Sequence, residues 1–361
     1  MDERAAVMPV NVLEYEAAAR AVVPQGLFEF IAGGAEDEVS LRENRAAFGR
    51  WRLVPRVMRG VVEPSTATTV LGQPVRLPVL VSPMGLHRLA HPEAECATAA
   101  AAKEAGTIFC LSCAASCAIE EVAARAGAWW FQIYLMDDRG LTLELVRRAE
   151  AAGAAAISLT VDVPVRGRRE ADERNRFALP PGTTMPNLLS RVGEADAGNY
   201  FALAKWDAAI TWADLAWLTA STQLPVVVKG VLAPEDARMA VEHGAMAIQV
   251  SNHGGRQLDS AVGALDALPA VVEAVGGDAE VVLDGGVRRG TDVLKALALG
   301  ARAVLIGRPV LYGLAAAGEE GVARVFDLLR QELVTDMILC GLADVREVPR
   351  SLVVPASDHF G

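Results

Sequence analysis

The chain is poor in the residues that would take it to a membrane, a metal or a nucleic acid. Its 361 residues include five histidines and five cysteines, and aromatics make up 5%. No apolar run approaches the roughly 18 consecutive residues that a membrane-spanning helix needs. The start, Met1-Asp2-Glu3-Arg4, lacks the basic residues and apolar core of a secretory leader, so none is expected. The cysteines are odd in number and have no repeated metal-type spacing, which fits free thiols in a reducing cytoplasm. Cys113 and Cys117 have no second pair and read as buried thiols. His87 and His91 are spaced like a helical ligand pair, but Pro92 argues against a helix there. His243 reads as a helix end and His359 as tail, so no metal is expected. A net charge of -11, a pI near 5.1 and no basic stripe make nucleic acid a poor partner. Scarcest of all is lysine: of 34 basic residues only Lys103, Lys205, Lys229 and Lys295 are not arginine. Lys229 closes a buried apolar run, a place that calls for an explanation.

What is abundant is alanine and apolar sequence, 52% hydrophobic in all, ample for a large core. Short apolar runs alternate with helical segments. Strands are expected at 78–81, 107–111, 130–133, 156–161, 225–228, 247–250, 281–283 and 303–306, with helices such as 92–105, 119–126, 141–152 and 234–243 between them. Pro234 suits a first helical turn and Gly244 the position past its end. Eight such units predict an α/β fold, a (β/α)8 TIM barrel, over a doubly wound sheet. The doubly wound alternative expects a Gly-rich fingerprint after the first strand, and Ser82-Pro83-Met84-Gly85-Leu86-His87 does not supply one. One domain over 1–361 is expected: a helical N-terminal segment to about Pro55, with a helix over 36–51 after Gly33-Gly34, then the barrel from 56. Residues 68–75 read as a hairpin closing the barrel floor. The longest gap follows the fourth strand, and about 178–212 reads as an active-site lid.

The expected strand ends carry the chemistry: Ser82, Ser112, Gln132 and Tyr134, Thr160 and Asp162, Lys229, Ser251 to His253, Asp284, and Gly307-Arg308. In a barrel these ends share one rim, where active sites are built. Ser251-Asn252-His253-Gly254-Gly255-Arg256-Gln257-Leu258-Asp259 puts a base and a fixed cation on one tight loop, suited to deprotonating a molecule held by its carboxylate. Asp284-Gly285-Gly286-Val287-Arg288-Arg289-Gly290 and Ile306-Gly307-Arg308-Pro309 suit a phosphate held by backbone N–H groups and clamped by Arg308. Together these features imply a bound phosphorylated cofactor.

These motifs, with Gly167-Arg168-Arg169-Glu170 and Ala32-Gly33-Gly34-Ala35-Glu36-Asp37, resemble the FMN-dependent 2-hydroxy-acid oxidase and dehydrogenase family, from about Asn11 to the C-terminus. The resemblance implies that His253 is the catalytic base, oriented by Asp162. It implies that Arg256 and Arg169 clamp the substrate carboxylate and that Tyr134 donates to the substrate. Lys229 resembles the lysine beside the flavin N1–C2=O edge, where a point charge favours the anionic reduced flavin. Ser82, Pro83, Met84 and Gly85 resemble a flavin-contacting stretch; Ser112, Gln132, Thr160 and Ser251 resemble partners of its ring. Asp284 resembles the ribityl partner, and Gly285, Gly286, Arg288, Gly307 and Arg308 the phosphate grip. The reaction implied is oxidation of an (S)-2-hydroxy acid to the 2-oxo acid with reduction of FMN, by hydride or carbanion route. A homo-oligomer, tetramer or octamer, is also implied.

Three positions depart from the glycolate-oxidase-like pattern. Phe30 replaces a tyrosine, Ala114 replaces a tryptophan, and Gly85 stands where many oxidases have alanine. The first two predict a bulky substrate, aryl or long-chain, with Ala114 opening volume in the pocket. Extra room at Gly85 bears on how O2 reaches the flavin. Oxidase chemistry giving H2O2 is expected, ahead of a dehydrogenase using a quinone or protein acceptor and a lactate-monooxygenase-like decarboxylating oxidase. An FMN-dependent isomerase of a diphosphate substrate would leave His253 and Arg256 unexplained, as would a barrel without catalysis.

Overall fold

A computed structural model describes residues 9–188 and 206–357. Eight parallel strands close into a barrel in sequence order: β4 (Val79–Met84), β5 (Phe109–Ser112), β6 (Trp129–Ile133), β7 (Ile157–Thr160), β8 (Val226–Val231), β9 (Ala247–Val250), β10 (Glu280–Asp284) and β11 (Ala303–Ile306), which returns to β4. Every expected strand is present, with ends moved by a few residues. The strands are apolar on both faces because one side fills the barrel and the other packs on helices.

The hairpin at 68–75 forms as β2 (Thr68–Val70) and β3 (Gln73–Val75). Val70 and Val75 are buried against Leu80, Ile108, Trp130 and Leu305, so the hairpin plugs the barrel floor.

The N-terminal segment contains α1 (Glu14–Val22), α2 (Gln25–Ala32) and α3 (Val39–Gly49). The helix expected over 36–51 is shorter. Trp51 instead opens a strand, β1 (Trp51–Leu53), that pairs antiparallel with β12 (Val353–Pro355) near the chain's far end. Propensity alone does not reveal that long-range pairing. Around the barrel lie α4 (Ala94–Ala105), α5 (Ile119–Ala123), α6 (Arg139–Ala151), α7 (Glu170–Arg174), α8 (Trp212–Ser221), α9 (Pro234–Glu242), α10 (Ala264–Val275), α11 (Gly290–Ala298) and α12 (Arg308–Cys340), the last kinked at Ala317 and Gly318. Residues 189–205 of the expected lid lie outside the described residues, as do Lys205 and His359. Trp212, expected inside the lid, begins α8. His87 is buried, its Nδ1 3.0 Å from Thr98 Oγ1.

Helix α3 is the buttress of the rim. The Asn44 and Asn252 side-chain amides bond reciprocally at 2.7 and 2.9 Å, and Asp259 accepts from the backbone N–H groups of Val39 and Ser40 at 3.2 and 2.8 Å. The loop after β10 presses on the same helix. Gly286 has φ +90°, and a Cβ there would stand 1.9 Å from the Asn44 carbonyl oxygen.

Gly286→Ala is therefore expected to cost about 3 kcal/mol, from left-handed strain and overpacking together. Gly72 at the tip of the floor hairpin has φ +74° and open space around it. Gly72→Ala should cost only about 1 kcal/mol of backbone strain. Urea unfolding midpoints of the apoproteins compare the two, and equal losses would show that the contact with α3 carries no weight.

Candidate active site

The mouth of the barrel, at the carboxyl ends of the strands, holds a cleft of about 1320 Å³, counted with the solvent at its opening. Ser82, Pro83, Met84, Gly85, Ser112, Gln132, Tyr134, Thr160, Lys229, His253, Arg256, Arg169, Asp284, Gly285, Gly286, Arg288, Gly307, Arg308 and Phe30 all line it. Residues spread over more than 270 positions meet here because each sits at or just past the end of a parallel strand, or on α2, which packs across the rim.

His253 is held by its backbone and by its ring. It occupies the left-handed region at φ 57°, uncommon for a side chain of this size. Its N–H donates to Ser251 Oγ at 3.0 Å. Ser251 is fully buried and is not on the cleft wall, so in this structure it shapes the histidine loop. The ring Nδ1 lies 2.8 Å from Asp162 Oδ1, which leaves Nε2 as the ring's second proton-handling atom. Lys229 Nζ is 3.4 Å from the same Nδ1 and 3.8 Å from Asp162 Oδ2. Burial pulls the His253 pKa below its ordinary value; the Asp162 carboxylate opposes this and the Lys229 charge adds to it. Burial pushes Asp162 up, yet His253 and Lys229 hold its pKa below the usual carboxylate range. The result is a neutral base beside a fixed negative charge, ready to accept a proton.

The cations at the other side of the site are costly. Arg256 donates from Nη1 to the Gly33 carbonyl at 2.9 Å, and its guanidinium lies 5.5 Å from the centroid of the Phe30 ring. Burial, then the charges of Arg169 and Arg308, pull its pKa well below the usual arginine value. Arg288 is pulled down to about 10 by burial and by neighbouring Arg45. Among the described residues no carboxylate stands within ion-pair distance of Arg256, Arg288 or Arg308. Buried cations without anions mark sites that anions complete. Asp172, which the sequence did not single out, has its carboxyl pKa raised by burial against the pull of Arg169 and Arg256, while it binds Arg166 at 2.6 Å.

Arg308 does more than the expected phosphate clamp. Its Nε donates to the Ala32 carbonyl at 3.0 Å, Nη1 to that of Gly254 at 2.9 Å and Nη2 to that of Gly33 at 2.8 Å. It thus ties α2 to the histidine loop, and any grip on a phosphate would exchange some of these bonds.

FMN fits the remaining groups. Ser112 Oγ donates to Gln132 Oε1 at 2.8 Å, and Gln132 Nε2 donates to Thr160 Oγ1 at 3.0 Å, a polar strip across three strand ends. Asp284 Oδ2 accepts from Gln249 Nε2 at 2.6 Å, but its buried Oδ1 has no donor among the described residues. A ribityl hydroxyl is the kind of donor it lacks. Gly285 and Gly286 line the cleft beside Arg288, and Gly307 lines it at the start of α12, which suits a phosphate.

Ala114 is a correction. It is 1% exposed and absent from the cleft wall. Its carbonyl accepts from Leu86 N, its N–H donates to Ser112 Oγ, and a Cβ added at Gly85 would meet its carbonyl at 3.0 Å and its methyl at 3.2 Å. The loop after β5 folds back, so the small residues at 85 and 114 accommodate each other and the Ala114 side chain is not itself a pocket residue. The aromatic rings on the wall are Phe30 and Tyr134, both expected, and Trp206, which the sequence did not single out; Phe177 supports Phe30 from outside the cleft lining. Phe177 stacks on Phe30 at 4.4 Å, and Trp206 lies on Tyr134 at 4.2 Å. Both residues come from the long gap, which carries no periodic signal.

Comparison with known proteins agrees over nearly the whole chain. The family model for FMN-dependent dehydrogenases matches residues 19–355. An L-lactate oxidase of Nostoc sp. is 50% identical, covering 96% of this chain and 98% of the relative. The glycolate oxidase of Spinacia oleracea is 48% identical, covering 97% and 96%. A crystal structure of mandelate oxidase superimposes with a TM-score of 0.89 at 46% identity, covering 95% of this chain and 97% of that one. The chain belongs to the FMN-dependent dehydrogenase family and is an FMN-dependent 2-hydroxy-acid oxidoreductase.

Proposed function

We propose that the enzyme oxidises a bulky (S)-2-hydroxy acid, aryl such as mandelate or long-chain, to the 2-oxo acid, with O2 as final acceptor and H2O2 as product. The observation that carries the acid chemistry is the His253–Asp162 pair at 2.8 Å in a cleft that also buries Arg256 and Arg169. The bulky side chain is supported by the aromatic rings of Phe30 and Trp206 on the wall. Oxidase chemistry is supported by relatives of about half identity that are oxidases.

Arg256 and Arg169 bind the substrate carboxylate, which offsets the cost of withdrawing the Arg256 charge from water. Tyr134 lines the same cleft and orients the substrate oxygens. His253 Nε2 takes the proton, and Asp162 on Nδ1 stabilises the imidazolium that forms. FMN, when bound, accepts the two electrons released at the α-carbon. Lys229, buried beside the pair, supplies a fixed positive charge where negative charge develops.

His253→Gln should slow anaerobic flavin bleaching by substrate about 10³- to 10⁴-fold while FMN stays bound, as judged by stopped flow and visible absorbance. A variant that bleaches at the wild-type rate removes His253 from the mechanism. Because the base works when neutral, kcat/KM should be lost as pH falls through the His253 pKa. Since burial lowers that pKa, the acid limb should lie below about 6.5. An inflection above pH 7 would contradict this. A substrate panel read by bleaching without air and peroxide with air should place mandelate-type acids above glycolate in kcat/KM; a preference for glycolate, or bleaching without peroxide, counts against the reading.

A further inference from the structure

We infer that Trp206 is the specificity-determining residue of this site, the ring against which the aryl group of a 2-hydroxy acid packs. The inference rests on the 2-hydroxy-acid reading above and names the side chain that chooses among such acids.

Trp206 is placed firmly. Its backbone forms an antiparallel bridge with Met136, two residues beyond Tyr134. The next residue, Asp207, donates its N–H to the Leu135 carbonyl at 2.9 Å. The Asp207 carboxylate accepts from Arg139 at 2.6 Å, and the same guanidinium binds Asp214 at 2.6 Å and the Met136 carbonyl at 2.6 Å. Trp206 is therefore stitched to the exit of β6. Its indole lies over the Tyr134 ring with centroids 4.2 Å apart and planes tilted by 32°. Both rings line the cleft that holds Arg169, Arg256 and His253.

Phe30 is the aromatic nearest the cations. Phe30 stacks on Phe177 at 4.4 Å with planes 11° apart, and the guanidiniums of Arg256 and Arg169 lie 5.5 and 6.0 Å from its centroid. Phe30 thus belongs to the cationic part of the wall, and the Tyr134–Trp206 pair adds a second aromatic surface to it. A molecule that carries both a carboxylate and a ring matches a cleft lined by both cations and an indole. Aromatic pairs gain beyond simple area burial, which an aliphatic group of the same size does not.

The test is a ratio. kcat/KM for (S)-mandelate divided by that for (S)-lactate is measured in the wild type, Trp206→Ala and Trp206→Phe, with FMN content checked in each. The ratio should fall about five- to tenfold in Trp206→Ala, the span of one aromatic pair, and return to within about twofold in Trp206→Phe. A ratio that is unchanged or higher overturns the inference, even when both constants fall together, because that pattern means only that Tyr134 has lost its support. Should Trp206→Ala lose FMN, Trp206→Leu keeps apolar bulk without a ring and reads the same ratio. Flavin absorbance titrations with benzoylformate against pyruvate give the ratio again without turnover. A wild type that favours glycolate or lactate over mandelate would defeat the bulky-substrate reading, while the change caused by Trp206→Ala would still decide the role of Trp206.

Discussion

Partly buried positive charge with no carboxylate at ion-pair distance among the described residues is the constraint on which this structure turns. Arg256, Arg288 and Arg308 sit at one barrel mouth, and their donors meet backbone carbonyls. Burial lowers the pKa of each, which measures how poorly the protein alone solvates them. A carboxylate and a phosphate are what such a mouth lacks, and a 2-hydroxy acid and FMN bring one each. The same bonds organise the fold. By reaching the carbonyls of residues 31–33 and of Gly254, Arg308 makes the N-terminal helices part of the active site and puts Phe30 on its wall.

The base works inside that field. His253 is close to two positive groups and one negative one, and only the negative one favours its protonation. Proton transfer is thus balanced between Asp162, which stabilises the imidazolium, and Lys229, which opposes it. The geometry that maintains this balance is a left-handed histidine held by Ser251, with the neighbouring Asn252 locked to Asn44 of α3. Strain at one residue is sustained by hydrogen bonds from a helix more than 200 positions away in sequence.

Much of this was legible before any coordinates. Each barrel strand is a short apolar run, and parallel topology sends all eight carboxyl ends to one rim, so Lys229, His253 and Asp284 could be grouped from their positions alone. Position along a strand does not say where a loop folds. Ala114 was assigned to the pocket because it replaces a tryptophan of the glycolate-oxidase-like pattern, yet its loop turns back onto Gly85 and buries its methyl group away from the cleft wall. Trp206 and Phe177 went unread for the converse reason: they belong to the long gap after β7, where no period or motif marks an inward-facing residue. Trp51 was read as helix because its partner strand lies some 300 residues on.

Sequence by itself determined the barrel, the family and the set of polar side chains that meet at one rim. Those follow from local hydrophobic period and from residues whose chemistry has few other uses. Tertiary structure alone decided the shape of the pocket's apolar end, the ties that Arg308 makes to α2, and which aromatic rings face one another. Each of these depends on how separate loops pack in three dimensions, and packing between distant segments leaves no mark on the spacing of residues along the chain.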